Sequence, residues 1–283
     1  MSFIQIVILA IVQGLAELLP VSSSAHVIIA EKLMGLDPTA PNMTLLLVML
    51  HTGTMFAVII YFWQTWRTTY FSSAKTFRQN AFYIILATAV TGVVGLSLQS
   101  IIKHVYGHNA ANFEIESLFG NTTVIASGLA AAGILIIFSS RFHEGENEQG
   151  QLSSARAMVI GLVQGLCLPF RGFSRSGATI STGLALGVTR KRVEEFSFAL
   201  AVVLTPAVIA KEGFRLFHST GVTPALAPSS LLPMLAPSLL GMVFSFIAGL
   251  VALRWLSRWL EQDRWHLFGG YCIFASLMIF WLG

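Results

Sequence analysis

Residues 12–26 read VQGLAELLPVSSSAH, and residues 163–177 read VQGLCLPFRGFSRSG. The tetrapeptide Val-Gln-Gly-Leu starts at position 12 and again at position 163. With one inserted residue, Ser22-Ser23-Ser24 falls over Ser174-Arg175-Ser176. Each copy starts apolar, breaks at a proline, turns polar, and resumes as a second apolar stretch. Paired interrupted segments, one in each half of a hydrophobic chain, point to a buried polar site built from an internal repeat.

The surrounding sequence fits that reading. The chain has 283 residues, of which 55% are hydrophobic and 11% charged, and its mean hydropathy is +0.74. This is the composition of a polytopic membrane protein. The net charge of +4 is small, and its basic residues lie between apolar stretches, so nucleic acid is not an expected partner. Cys167 and Cys272 both sit in apolar sequence and offer neither a disulfide framework nor a zinc pattern; both read as small packing residues. The N-terminus, MSFIQIVILAIVQG, lacks a basic leader and a cleavage site and is expected to be retained. Walker, Rossmann and His-rich metal motifs are absent from the sequence.

Six stretches are long enough to cross a bilayer, which takes roughly 20 residues: about 43–63, 81–102, 122–139, 196–216, 233–254 and 265–282. The two repeated segments, about 3–36 and 156–188, are each two short apolar pieces around a polar break. They read as re-entrant helical hairpins, whose irregular backbone is tolerated at depth only where protein or water surrounds it. The fold class expected is therefore all-α, with six transmembrane helices plus two re-entrant hairpins. It forms a single integral membrane domain over 1–283, with repeats at about 1–140 and 156–283.

Charge sets the orientation. Loop 64–80 holds Arg67, Lys75 and Arg78, loop 140–156 holds Arg141 and Arg156, loop 189–195 holds Arg190, Lys191 and Arg192, and loop 254–264 holds Arg254, Arg258 and Arg264. The opposite side holds Lys32, Lys103, Lys211 and Arg215. The positive-inside rule puts the first group in the cytoplasm and both termini outside. Each repeat then has one hairpin and three spans. Three is odd, so the repeats are inverted and the hairpin tips are expected to meet near the midplane.

Glu17 is the sharpest candidate residue. A carboxylate at membrane depth costs roughly 2.5–3.5 kcal/mol on insertion scales, so it needs a partner or a task. Gln13 lies one turn earlier on the same helical face, and together they suit a cation or a water. Ser22, Ser23 and Ser24 can cap a helix over 24–36, aiming its positive end into the site. Ser23 with His26 one turn on is a minimal nucleophile–base pair, although a hydroxyl cap and a satisfied imidazole explain the same residues. The second break holds Arg171, Ser174, Arg175, Ser176, Gly177 and Thr179. Its arginines demand anions, glycines let backbone amides approach, and a helix starting near Gly177 adds an N-terminus suited to phosphate. An Arg175–Glu17 ion pair is the alternative. His51, with Thr52 and Thr54, interrupts the stretch 43–63 and reads first as a satisfied bundle histidine, with lining of the site as the alternative.

Together, QGLAELLPVSSSAH and GFSRSGAT resemble the undecaprenyl-diphosphate phosphatase family, also called the bacitracin-resistance phosphatases, over nearly the whole chain. The resemblance implies a multi-pass enzyme of the bacterial inner membrane that removes the terminal phosphate of undecaprenyl diphosphate and recycles the carrier lipid for cell-wall synthesis. It also implies a fold similar to inverted-repeat transporters, a homodimer, a divalent cation such as Mg2+ or Ca2+, and a site open to the periplasm. The family's glutamate-rich first motif falls on Gln13 and Glu17, with glutamine in place of the more usual glutamate at 13. Its serine and histidine fall on Ser23 and His26. The arginine motif falls on Ser174, Arg175, Ser176, Gly177 and Thr179. Pro169-Phe170-Arg171-Gly172 stands where many members have Trp-Pro-Gly. The mechanism this implies has Arg175 and helix N-termini neutralising phosphate, Glu17 holding part of the cation, and either Ser23 with His26 as base or an activated water attacking phosphorus. The competing class is a flippase for a phosphorylated polyprenyl lipid, because fold alone does not separate the two.

Overall fold

The computed structural model describes residues 1–36, 41–106, 121–141, 151–170, 172–219 and 228–282. Among these residues the chain is all-helical. The helices in order are α1 Phe3–Leu18, α2 Ser23–Leu33, α3 Pro41–Thr69, α4 Ala74–Tyr106, α5 Thr122–Ser139, α6 Ser154–Cys167, α7 Arg175–Ala185, α8 Arg190–Ser219, α9 Pro228–Glu261 and α10 Trp265–Leu282. Each of the six expected spanning stretches lies inside one of the longer helices, in order α3, α4, α5, α8, α9 and α10. Among the described residues, four stretches are both long and apolar enough to cross a membrane: Leu45–Thr69, Ala74–Val105, Thr122–Ser139 and Leu235–Glu261. Their outward faces carry large apolar side chains, among them Phe56, Ile60, Val93, Leu96, Ile247 and Val251. Such faces suit lipid rather than water.

The repeated segments are helix–break–helix units, α1–α2 and α6–α7, as the proline breaks predict. Leu19 precedes Pro20, which disfavours helical backbone at Leu19 and removes a donor. The chain then folds tightly, with Val21 N–H donating to Leu19 O at 2.7 Å and Ser22 at φ 67°. The second break follows Leu168-Pro169 and includes Gly172 at φ 96°, a conformation for which glycine is the ordinary choice. An added Cβ at Gly172 would also lie 2.1 Å from Ile125 O. Two boundaries differ from the sequence reading. Helix α2 ends at Leu33 rather than 36, because Gly35 turns left-handed (φ 64°) and Leu36 N–H caps Glu31 O at 3.0 Å. Helix α7 starts at Arg175, two residues before Gly177, because Ser174 is its N-cap and accepts from Gly177 N–H.

The chain divides into two units, neither of which follows the repeat boundary. The first is 1–18, 23–62 and 201–256; the second is 19–22, 63–200 and 257–283. The first has a core of Ile6, Leu9, Ala10, Val27, Met43, Leu46 and Leu50. There α9 is drawn close by small residues: an added Cβ at Gly14 would lie 2.5 Å from Ala248 Cβ, and one at Gly53 2.3 Å from Met242 O. Ser245 Oγ donates to Leu50 O at 2.9 Å. In the second unit α6 lies on α4 through Gly161 and Gly165, a small-xxx-small pair that lets backbones approach. Thr91 Oγ1 donates to Gly161 O at 2.8 Å, and Gln164 Nε2 donates to Thr91 Oγ1 at 3.1 Å. Helix α10 is fixed to α5 and α7 by Trp265, whose indole N–H lies 3.1 Å from both Ser139 Oγ and Ser181 Oγ. Cys167 and Cys272 are buried and unpaired with each other, as packing residues should be.

Candidate active site

Glu17 ends the last turn of α1, and three groups converge on one of its oxygens. Gln13, one turn back, donates Nε2–H to Oε2 at 3.2 Å. Ser23, the first residue of α2, donates its hydroxyl to the same oxygen at 2.5 Å. The His51 ring of α3 places Nε2 at 3.8 Å from it. The break at Pro20 makes this possible: α1 ends at Leu18, one residue past Glu17, and the helix restarts at Ser23, so a hydroxyl six residues on returns to the carboxylate. Gln13 is fully buried, while Glu17, Ser23, Ser24 and His26 are partly accessible. Ser22 is buried and carries the left-handed turn. His26 lies one turn along α2 from Ser23, as the spacing predicts. A hydroxyl donated to a carboxylate is the ground-state geometry of a nucleophile and its general base.

Sequence reasoning favoured a packing role for His51 over one lining the site. The structure gives it that role and another. Its Nδ1 lies 2.8 Å from Leu47 O, one turn back, and its Nε2 faces Glu17. The polar run 51–54 inside an apolar helix was the available signal. What it could not supply was the relative rotation of α1 and α3.

The second break forms a cluster of its own hydroxyls at the start of α7. Ser174, Ser176 and Thr179 are buried. Ser174 Oγ accepts from Gly177 N–H at 3.2 Å. Ser176 Oγ donates to Leu19 O at 3.4 Å. Thr179 Oγ1 donates to Arg175 O at 2.8 Å and lies 2.6 Å from Ser197 Oγ. Arg175 itself reaches Ser197 O at 3.5 Å. Gly177 sits against the first break, where an added Cβ would lie 3.2 Å from Pro20 Cβ, and Cys272 Sγ donates to Pro20 O at 3.2 Å. The hydroxyls of this motif therefore hold the helix end and carry the Arg175 guanidinium on it. A helix N-terminus without an acidic residue in its first turn, joined to a guanidinium, is chemistry for an anion. Arg171 lies outside the described residues.

The repeat thus preserves Gln-Gly but diverges in use. Gln13 supports a carboxylate, whereas Gln164, equally buried, bonds Thr91 on a neighbouring helix. For a metal ion, the first cluster offers one carboxylate, one hydroxyl and one amide. Among the described residues no group of three or more His, Cys, Asp or Glu side chains gathers as a cage. This donor set fits a hard cation that takes most of its ligands from phosphate oxygens and water.

Comparison with known proteins gives a consistent picture. The model of the family described as bacitracin resistance protein BacA matches residues 6–278. The chain is 63% identical over 276 residues to undecaprenyl-diphosphatase 2 of Acinetobacter baylyi, covering 98% of this chain and 96% of that one. It is 33% identical over 290 residues to undecaprenyl-diphosphatase 1 of Burkholderia pseudomallei, covering 98% and 95%. Undecaprenyl-diphosphatase of Korarchaeum cryptofilum is 31% identical over 299 residues, covering 99% and 98%.

Proposed function

The chain belongs to the bacitracin resistance protein BacA family, and from that premise we propose that it is a membrane phosphatase converting undecaprenyl diphosphate to undecaprenyl phosphate and inorganic phosphate. It recycles the carrier lipid for cell-wall synthesis and thereby confers bacitracin resistance. The observation that carries the chemistry is the Ser23 hydroxyl donated at 2.5 Å to Glu17.

In this reading Arg175 and the α7 N-terminus bind the diphosphate and neutralise its charge, where positioning and electrostatics carry most of phosphoryl transfer. Ser174, Ser176, Gly177 and Thr179 hold that helix end, and Ser22 and Ser24 border the phosphate site. Glu17 takes the proton of Ser23 as Oγ attacks the terminal phosphorus. The bond to the bridging oxygen breaks, and the lipid phosphate leaves with its electron pair. Water then hydrolyses the phosphoserine, with His26 or Glu17 accepting its proton; a water attacking phosphorus directly uses the same bases. A divalent cation, Mg2+ or Ca2+, held by Glu17 with Gln13 beside it, supplies charge neutralisation on the phosphate oxygens when bound. Arg171 adds a cation beside the arginine motif. Six membrane spans with two re-entrant hairpins in inverted repeats, a homodimeric state, and a bacterial inner-membrane site open to the periplasm complete the proposal.

The test is phosphate release from a long-chain prenyl diphosphate by purified protein in detergent, with and without EDTA, beside Arg175→Ala and Ser23→Ala. Metal-dependent release that falls at least a hundredfold in Arg175→Ala supports the reading. Absence of release from folded wild-type protein with metal present overturns it in favour of lipid transport. Full activity in Ser23→Ala assigns the attack to water.

A further inference from the structure

The start of α8 carries three cations in a row, Arg190, Lys191 and Arg192, with no acidic residue in the same turn. Cations at the positive end of a helix are disfavoured unless something negative answers them. Two are answered within the protein. Arg190 pairs with Asp263, and Arg192 Nη1 lies 3.5 Å from Glu195 Oε2. Among the described residues no carboxylate stands within ion-pair distance of the exposed Lys191. Lys191 and Arg192 instead share the wall of a cavity of about 430 Å³, within the roughly 300–1,000 Å³ of small-molecule sites. Buried polar groups hold that wall in place. Asn80, also lining it, donates Nδ2–H to Thr76 O at 2.9 Å and to Thr69 O at 3.3 Å, and its Oδ1 accepts from Arg192 Nη2. The Tyr70 ring lies against the same guanidinium, 4.9 Å from Cζ to the centroid. Trp66 Nε1–H fixes the Glu195 backbone, donating to its carbonyl at 3.3 Å. Arg192 is thus aimed by Glu195, Asn80 and Tyr70, and a guanidinium has more N–H donors than these take up. Glu195 is the only acidic side chain of the described lining, and Arg192 offsets it. Lys191 therefore leaves the cavity with a positive charge in excess.

We propose that this cavity is a binding site for a phosphate group, with Lys191 supplying the charge and Arg192 supplying directed N–H donors. Guanidinium geometry suits phosphate oxygens, and an ammonium adds a point charge. The charge bias assigns this end of the helices to the cytoplasmic membrane surface. Basic pockets between helices on that side take the headgroups of anionic lipids. Beside the lining threonines in sequence, Phe71 and Phe77 are exposed and stack with ring centroids 5.5 Å apart, an aromatic pair suited to the same interface. A lipid headgroup and a soluble phosphate compound offer the same group to the cavity. None of the residues given a part in the reaction above lines it, so the binding stands whether or not the chain hydrolyses a diphosphate.

The test is binding by the full chain in detergent. Native mass spectrometry compares phosphatidylglycerol with phosphatidylcholine, and thermal unfolding reports on inorganic phosphate. Lys191→Gln and Lys191→Glu are set beside Arg254→Glu, a cation of the same charge-rich side that does not line the cavity. Lys191 is exposed, so both of its variants should fold, with an unliganded Tm near that of wild type. The expected result is selective binding of phosphatidylglycerol, weakened about fivefold in Lys191→Gln, the scale of one cation at a membrane surface. Lys191→Glu should weaken it further, and Arg254→Glu should stay within twofold of wild type. That outcome assigns the site to a lipid headgroup. A Tm rise with inorganic phosphate that is lost in Lys191→Gln, with the two lipids bound alike, supports the same site and assigns it to a soluble phosphate compound. Equal losses in Lys191→Glu and Arg254→Glu reduce the effect to general surface charge and overturn the inference. So does wild-type protein that responds to neither phosphatidylglycerol nor phosphate. If Lys191→Glu fails to fold, Lys191→Gln decides by the same fivefold criterion.

Discussion

Replacing Glu17 by glutamine separates the chemistry of the first cluster from its architecture. Glutamine is nearly isosteric, and its carbonyl oxygen can sit where Oε2 now accepts from Ser23 at 2.5 Å and Gln13 at 3.2 Å. Both donors keep an acceptor, so α1 and α2 keep their contact. What disappears is a group able to take the Ser23 proton and the charge that faces His51 at 3.8 Å. A positioned general base is worth on the order of 10²–10⁴ in rate, or about 3–5 kcal/mol of barrier at about 1.4 kcal/mol per tenfold. Stability should change far less, because a neutral hydrogen bond falls short of a charge-assisted one by only about 1 kcal/mol. The expected outcome is a kcat for phosphate release reduced at least a hundredfold, with a thermal midpoint in detergent within a few degrees of wild type. Glu17→Asp should also lose activity, because shortening the side chain withdraws the carboxylate from Ser23. Glu17→Gln protein that is folded and keeps more than half the wild-type kcat refutes the assignment of Glu17 as base. Glu17→Gln protein that fails to fold shows the carboxylate to be structural.

Three further outcomes follow from the packing and the charge placement. Gly172→Ala forces an alanine to φ 96° and drives its Cβ to 2.1 Å from Ile125 O; it should cost about 2–5 kcal/mol of strain and overpacking, read as a lowered Tm beside Gly270→Ala, which meets nothing within 4 Å. Gly161→Ala puts a Cβ 2.4 Å from Ala87 O and should cost about 1–3 kcal/mol by prising α6 from α4, again read by thermal unfolding, with Gly92→Ala as the control on α4. Glu194, in the first turns of α8 on the side expected to be cytoplasmic, is pushed up to about 7 chiefly by burial, against a hydrogen bond from Ser257. The folded protein therefore holds this proton more tightly than the unfolded chain, and its stabilising effect is present in acid and lost as pH rises from about 4.5 to about 7. Glu194→Gln should flatten that decline, which amounts to at most about 3 kcal/mol, in melting curves taken across the range.

Much of this molecule is written in one-dimensional signals. The apolar runs gave the long helices because a backbone in lipid must satisfy its own hydrogen bonds. The prolines at 20 and 169 gave the two breaks because proline stops the helical ladder and restricts its predecessor. Gln13 with Glu17 followed from helical spacing, and the divided helix at Ser23 from the serines that follow Pro20. The exact boundaries escaped because they depend on cap geometry: Ser174 starts α7 two residues early, and Gly35 ends α2 early. Some roles escaped because they depend on the rotation of one helix against another, which no spacing within a single helix reveals. Nothing in the run 51–54 says that His51 turns towards Glu17. Nothing in the matching Gln-Gly of the two repeats says that Gln13 meets a carboxylate while Gln164 meets Thr91. The helices, their breaks and the residue types brought to each break are legible along the chain, because those are set by local backbone chemistry and by solvent preference. That one oxygen of Glu17 collects Ser23, Gln13 and His51 emerges only from the packing of the helices. That convergence depends on how closely Gly14 and Gly53 let their helices approach α9, and packing of that kind is a property of surfaces in contact rather than of order along the chain.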